Sequence, residues 1–217
     1  MAEKKRFCIL SMVIVAVILV IDQLIKIQVK TTMTIGEQIH IADWFYICFI
    51  ENKGMAWGMT FINKFFLSLL RIVAIVVMSW YIWLVIKQGC RMRYVVFLSM
   101  VLAGAAGNIL DSMFYGLCFT VSTPWSVAEV VPIGQGYADF LMGKVVDMFY
   151  FPIIHTSWPS WMPFVGGDDF TFFSPIFNFA DAAITTGVLS LLLFCSNDLA
   201  GIGDTFKTAL HKKDGKE

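Results

Sequence analysis

The sequence predicts an all-α membrane core of four transmembrane helices, with a small β segment and an aromatic-rich surface segment on the outer side. Three observations carry this. The 217 residues are 58% apolar and only 15% charged, with a mean hydropathy of +0.74, outside the range of ordinary soluble domains. Four stretches reach the roughly 20 apolar residues needed to cross a bilayer, at about 7–27, 65–86, 94–117 and 176–198. Lys and Arg gather on alternate connections between them, the bias that orients membrane proteins.

The first stretch follows Lys4, Lys5 and Arg6, lacks a small-x-small cleavage site and runs on into Ile21-Asp-Gln-Leu-Ile-Lys26, so it reads as an anchor and not a cleaved signal. In the β segment, 28–64, the run Ile39 to Glu51 is rich in β-branched and aromatic residues. It predicts an extracytoplasmic strand, then a turn at Asn52-Lys-Gly-Met-Ala-Trp-Gly. Lys87, Arg91 and Arg93 separate the second and third helices, and Lys207, Lys212, Lys213 and Lys216 follow the fourth. The other two connections carry chiefly Lys30, Lys53, Lys64 and Lys144, which puts both termini in the cytoplasm. Segment 118–175 mixes six prolines with Trp125, Trp158 and Trp161 and fits a layer lying on the bilayer surface, where Trp prefers the headgroup level. The whole chain reads as a single membrane domain, without repeats or charged low-complexity tracts.

A formal net charge of zero gives no sign of a nucleic-acid partner, and the basic tail reads as a topology signal. The five cysteines form neither a C-x-x-C pair nor a Cys/His cluster. His40, His155 and His211 are dispersed without ligand spacing, so no metal or other cofactor is expected. There is no G-x-S-x-G, and Ser112 and Ser174 have no Lys or His near them in sequence. Gly166-Gly-Asp-Asp169 reads as a surface turn.

The informative residues are polar groups in or beside apolar spans, where an ionisable side chain is costly and marks a site by default. Asp181 opens the fourth span, and Asp147 lies in the segment before it. Asp22 lies near the outer end of the first helix. Asn108 and Asp111, three apart, share a face of the third, and Asn178 and Asp181 repeat that spacing. Singly, each has a plain structural use: Asp22 with Lys26 as an i, i+4 pair, Asn178 as a helix cap. Together with Asn52 they collect on one side of the membrane, which solvated helix ends would not do. Two carboxylates in a partly dehydrated site share a proton, one acting as base on water while the other polarises a carbonyl. Ala103 and Gly107 form a small-x-x-x-small pair that lets the third helix pack closely.

Five ordered blocks, Asp22-Gln-x-x-Lys26, Asn52-x-Gly54-x-Ala56-Trp57, Gly104-Ala-Ala-Gly-Asn108-x-x-Asp111, Val145-Val-Asp147 and Phe177-Asn178-x-Ala-Asp181, resemble those of lipoprotein signal peptidase (signal peptidase II). They extend over the chain from about residue 10 to 197. The resemblance implies a multi-pass aspartyl endopeptidase of the bacterial cytoplasmic (inner) membrane, with an extracytoplasmic β-cradle, a surface helix and an active site at the extracytoplasmic face. Such enzymes cut diacylglyceryl-modified prolipoproteins just before the lipidated cysteine, work among membrane lipid without a cofactor, and are blocked by cyclic peptides. The motif match makes Asp147 and Asp181 the catalytic pair. Asp22, Lys26, Asn52, Gly54, Ala56, Asn108, Asp111 and Asn178 fall in the matching blocks, at positions that line or support the site.

Two departures stand out. Ser112 replaces the arginine expected after Asp111. Arg71 either takes over part of its role, beside Asp111, or snorkels to the headgroups. An insertion at 117–144 extends the surface, gates lipid entry or binds a partner. Two rival readings belong to other classes. One is a non-catalytic lipoprotein- or lipid-binding protein on the same scaffold, separable by binding without turnover. The other is an ion or proton transporter, against which the one-sided clustering of carboxylates argues.

Overall fold

A computed structural model describes residues 2–52, 64–172, 174–203 and 205. Gly54 and Ala56, with Lys53, Trp57 and the basic tail, lie outside the described residues.

Helix α1 runs Ala2–Thr32, α2 Lys64–Gln88 and α3 Met92–Leu110. The last continues through a π-helical turn, Asp111–Tyr115, into the short α4, Gly116–Cys118. α1, α2 and the continuous Met92–Cys118 are long and apolar enough to cross a membrane. The outward face of α1 shows the pattern: Ile9, Met12, Val13, Val17, Val20 and Leu24 recur at helical spacing and are exposed, as suits a face turned to lipid. α3 is central and packs on α5 (Phe179–Phe194), α1 and α2. At the end away from the aspartates, Tyr81, Val85, Tyr94, Leu98, Leu191 and Cys195 form a core, with the Tyr81 and Tyr94 hydroxyls 2.6 Å apart. A Ser11 to Ser99 hydrogen bond of 2.7 Å ties α1 to α3.

The expected fourth helix is divided. Ile176–Phe177 forms strand β6, because Phe177 pairs with Phe149 in a sheet. α5 begins only after Asn178 has capped it, and its 16 residues end at Phe194, with Cys195 between it and the five-residue α6, Ser196–Ala200.

The run Ile39 to Glu51, expected as strand, is a hairpin. β1 (Gln38–Ala42) and β2 (Phe45–Asn52) are antiparallel and turn at Asp43 and Trp44. β3, Val145–Tyr150, adds beside β2 and β6 beside β3, giving the order β1-β2-β3-β6. The β2–β3 register sets Ile50 opposite Asp147 and Asn52 opposite Val145.

Between β3 and β6 the described residues form no helix. A second hairpin stands there, β4 (Ile154–Ser157) with β5 (Asp169–Phe172). Pro152, Pro159, Pro163 and Pro175 each remove a backbone donor that a helix would use. Gly166 and Gly167 fall in the turn before β5, with Gly167 at φ 89°.

Stretch 119–144 folds back on the end of α3. Val131 N donates to Cys118 O at 2.8 Å, and Ala138 N to Gly116 O and Gly143 N to Ser112 O at 2.9 Å each. Phe119 and Ala128 are buried with Val29, Met33, Phe49, Val146 and Met148, so this stretch completes a core beneath the sheet.

Candidate active site

The site forms where α1, α3 and α5 converge beside β3, and close packing makes it possible. A Cβ on Gly104 would collide with Ala180 O, and one on Gly107 would stand 2.7 Å from Asp22 Oδ2. Only glycine admits α5 and the Asp22 carboxylate this near to α3. Ala103 is fully buried, and Gly104 and Gly107 both stand against Ala180 of α5.

The start of α5 places Asp181. Asn178 Oδ1 accepts from Asp181 N at 2.9 Å, and Asn178 N donates back to Asp181 Oδ2 at 3.4 Å, a reciprocal capping box. A second cap comes from α1, since Ala180 N donates to Asp22 Oδ1 at 2.9 Å. Orphan amides at a helix N-terminus, with the helix dipole behind them, favour negative charge here. Asn178 is thus both the helix cap and a member of the polar cluster.

The Asn178 amide also reaches the other aspartate. Its Nδ2 donates to Asp147 Oδ1 at 2.6 Å and to Asn108 Oδ1 at 3.1 Å. Asn108 Nδ2 in turn donates to Asp181 Oδ1 at 2.7 Å. Asn52, at the end of β2, adds a side-chain hydrogen bond to Asp147. Asp147 is buried, and burial first, then the charge of Asp181, pushes its carboxyl up to about 7. Hydrogen bonds from Asn178 and Asn52 oppose that rise without cancelling it.

A charged core supports this layer. Lys26 Nζ lies 2.9 Å from Asp22 Oδ2, 2.8 Å from Asp111 Oδ2 and 2.9 Å from Asn108 Oδ1, with no exposed side-chain surface on Asp22, Lys26 or Asp111. Gln23 Nε2 donates to Asp111 Oδ1 at 2.9 Å, and Tyr115 OH to Gln23 Oε1 at 3.1 Å. Val146 N donates to Asp111 Oδ2 at 3.3 Å, which links the core to the strand bearing Asp147. Every partner satisfies another, the condition under which a buried polar network specifies one arrangement.

Asp22, Lys26, Asn52, Asn108, Asp111, Asp147, Asn178 and Asp181 are therefore brought together. Asp111 is paired with Lys26, and the charge of Asp181 acts on Arg71. Ser112 is buried, with its hydroxyl donating to Asn108 O at 3.3 Å. Sequence reasoning missed Gln23, although it lies inside the Asp22 to Lys26 block. Among the described residues no group of three His, Cys, Asp or Glu side chains is arranged to hold a metal ion.

Residues 14–196 match the family model described as Signal peptidase (SPase) II. The chain belongs to the signal peptidase II family. It is 48% identical over 186 residues to the lipoprotein signal peptidase of Porphyromonas gingivalis strain ATCC 33277, covering 84% of this chain and 80% of that one. The lipoprotein signal peptidase of Amoebophilus asiaticus strain 5a2 is 34% identical over 181 residues, covering 80% and 72%. A bacterial membrane enzyme solved by the in meso method at 1.9 Å resolution shares the fold, with a TM-score of 0.56 at 24% identity, over 84% of this chain and 90% of that one. This member of the signal peptidase II family is accordingly a membrane protease that removes signal peptides from prolipoproteins. A purely lipid-binding role on the same scaffold is not favoured.

Proposed function

We propose that Asp147 and Asp181 form the catalytic dyad and that the peptide bond they hydrolyse precedes a diacylglyceryl-modified cysteine. The observation that carries this is the single amide of Asn178, which hydrogen-bonds Asp147 at 2.6 Å while its oxygen caps the helix turn bearing Asp181. Asp147, with its carboxyl held up to about 7, keeps the shared proton near neutral pH. Asp181, at the N-terminus of α5, serves as the base.

In the reaction, Asp181 takes a proton from water as the water oxygen bonds to the scissile carbonyl carbon. Asp147 gives its proton to the carbonyl oxygen, forming a tetrahedral diol. On collapse the C–N bond breaks, the proton on Asp181 passes to the leaving nitrogen, and a diol hydroxyl returns a proton to Asp147. Asn108, Asn178 and Asn52 hold the two carboxyl groups in register. Arg71, whose charge acts on Asp181, supplies the cation absent at Ser112.

The same reading makes α5 with α6 a fourth span and puts both termini in the cytoplasm of a bacterial inner membrane. The sheet and both outer segments then lie at the extracytoplasmic face as the cradle for substrate, with the aromatic β4–β5 hairpin at the lipid surface. Cyclic peptides that block the family are expected to compete there. The test is cleavage of a diacylglyceryl-modified precursor, followed by gel shift. Asp147→Asn or Asp181→Asn inserts normally and leaves the precursor uncut, and cutting at the parent rate by either variant refutes the dyad.

A further inference from the structure

A second buried charge cluster lies on the opposite face of β2 from Asn52. Glu51 precedes Asn52, so alternation along the strand turns its side chain the other way. There Glu51 Oε1 is paired with Lys30 from the last turn of α1, and Oε2 lies 2.8 Å from Lys144 Nζ, the residue leading into β3. Ser122 donates to Glu51 Oε1 at 2.9 Å and accepts from Lys30 Nζ at 3.0 Å. The Lys30 ammonium also lies 5.4 Å from the Phe119 ring and 5.1 Å from that of Tyr137, which covers Lys144 too at 5.5 Å. Tyr137 OH accepts from Lys144 N at 2.7 Å.

The cluster is dry. Lys30 has no exposed side-chain surface and Glu51 only 2%. Burial pushes the Glu51 carboxyl up, and Lys30 and Lys144 more than reverse this, so it lies below the usual carboxylate range. Ser122, Tyr137 and Phe119, all from the insertion or its edge, pack around the Lys30–Glu51 pair. In register, Glu51 faces Val146, Asn52 faces Val145 and Ile50 faces Asp147, so the clamp grips the β2–β3 ladder at the point where Asn52 meets Asp147.

We infer that Glu51 is a positioning residue for Asp147, and that the insertion exists at least in part to bury the Lys30–Glu51–Lys144 clamp that fixes the β2–β3 register beneath the dyad. The inference rests on the dyad reading. A carboxyl misplaced by about 1 Å costs up to roughly 10²-fold in rate, so loosening the clamp acts on turnover before it acts on folding.

Removing Glu51 would strand a buried lysine, so the working variants are Lys144→Met and Ser122→Ala, each of which leaves the Lys30–Glu51 pair in place. The assay is cleavage of a synthetic diacylglyceryl-modified peptide by full-length protein in detergent, as kcat, KM and a pH profile, beside thermal unfolding. Lys144→Met is expected to lose about tenfold in kcat with KM and unfolding near the parent values, to shift the limb of the pH profile that belongs to Asp147, and to be rescued by Lys144→Arg. Parent kcat and pH profile in folded Lys144→Met and Ser122→Ala overturn the inference, as does a loss of activity that only follows loss of folded protein. Asp147→Asn, run alongside, separates the two ideas. If it is inactive while the clamp variants are fully active, only the positioning role falls; if it is active, the dyad falls first.

Discussion

Lys26 Nζ donates to Asn108 Oδ1 at 2.9 Å, and this contact decides which end of the Asn108 amide faces Asp181: Nδ2, at 2.7 Å. An ammonium has only donors to offer, so the oxygen must point to it and the nitrogen away. Asn108→Asp keeps an oxygen for Lys26 but turns an acceptor toward Asp181. Precursor cleavage should fall by roughly 10²-fold, the usual effect of losing one oriented donor, with most of the protein still folded. Paired kcat and detergent unfolding measurements check it.

Asn178 links cap and site, so its replacement should act on both. Asn178→Ala is expected to cost about 1 kcal/mol of stability for the lost cap and to lower kcat well beyond what that loss explains. Asn178→Ser retains a capping oxygen and cannot donate as the amide does to Asp147 and Asn108. It should recover stability without recovering turnover, read from unfolding and single-turnover rates.

Burial and the charge of Asp181 raise Asp147 from 3.8 to about 7, so between those values the folded chain holds a proton that the unfolded chain releases. The associated stability is complete below about pH 4 and is lost as pH rises through about 7. Asp147→Asn should therefore unfold at a higher temperature than the parent at pH 8, with the gap closing by about pH 4. Parent cleavage should decline above about pH 7 as the shared proton leaves. Melting curves and rates across that range test both statements.

The approach of α5 to α3 depends on a missing methyl. Gly104→Ala would press Cβ into Ala180 O and to 2.6 Å from Ile184 Cγ1, so α5 must shift and carry Asp181 with it. A loss of about 1–3 kcal/mol is expected, together with activity. Gly89→Ala is the control, having nothing within 4 Å and only its φ of 90° to strain. It should lose some stability and keep the parent kcat per folded molecule.

The polar cluster is legible in the sequence because its members are costly in apolar spans and carry helical spacing. Asp22 and Lys26 are four apart, and Asn178 with Asp181 has the spacing of a cap. The meeting of the aspartates through Asn178 follows less directly, since β6 has to pair with β3 before α5 can begin. The Glu51 clamp is not legible, because its partners are 21 and 93 residues away in sequence and all three look like ordinary loop charges. Lys30 does share the face of Asp22 and Lys26, one further turn along α1, and that is the available signal. The pairing of Asp111 is hidden for a similar reason: Lys26 reaches across from α1 to neutralise it.

The most direct measurement is single-turnover cleavage of a diacylglyceryl-modified precursor by Asp147→Asn and Asp181→Asn at matched folded concentration. Each is expected to lose at least about 10⁴-fold relative to the parent, with precursor binding retained. Cleavage at or near the parental rate by either variant would contradict the dyad.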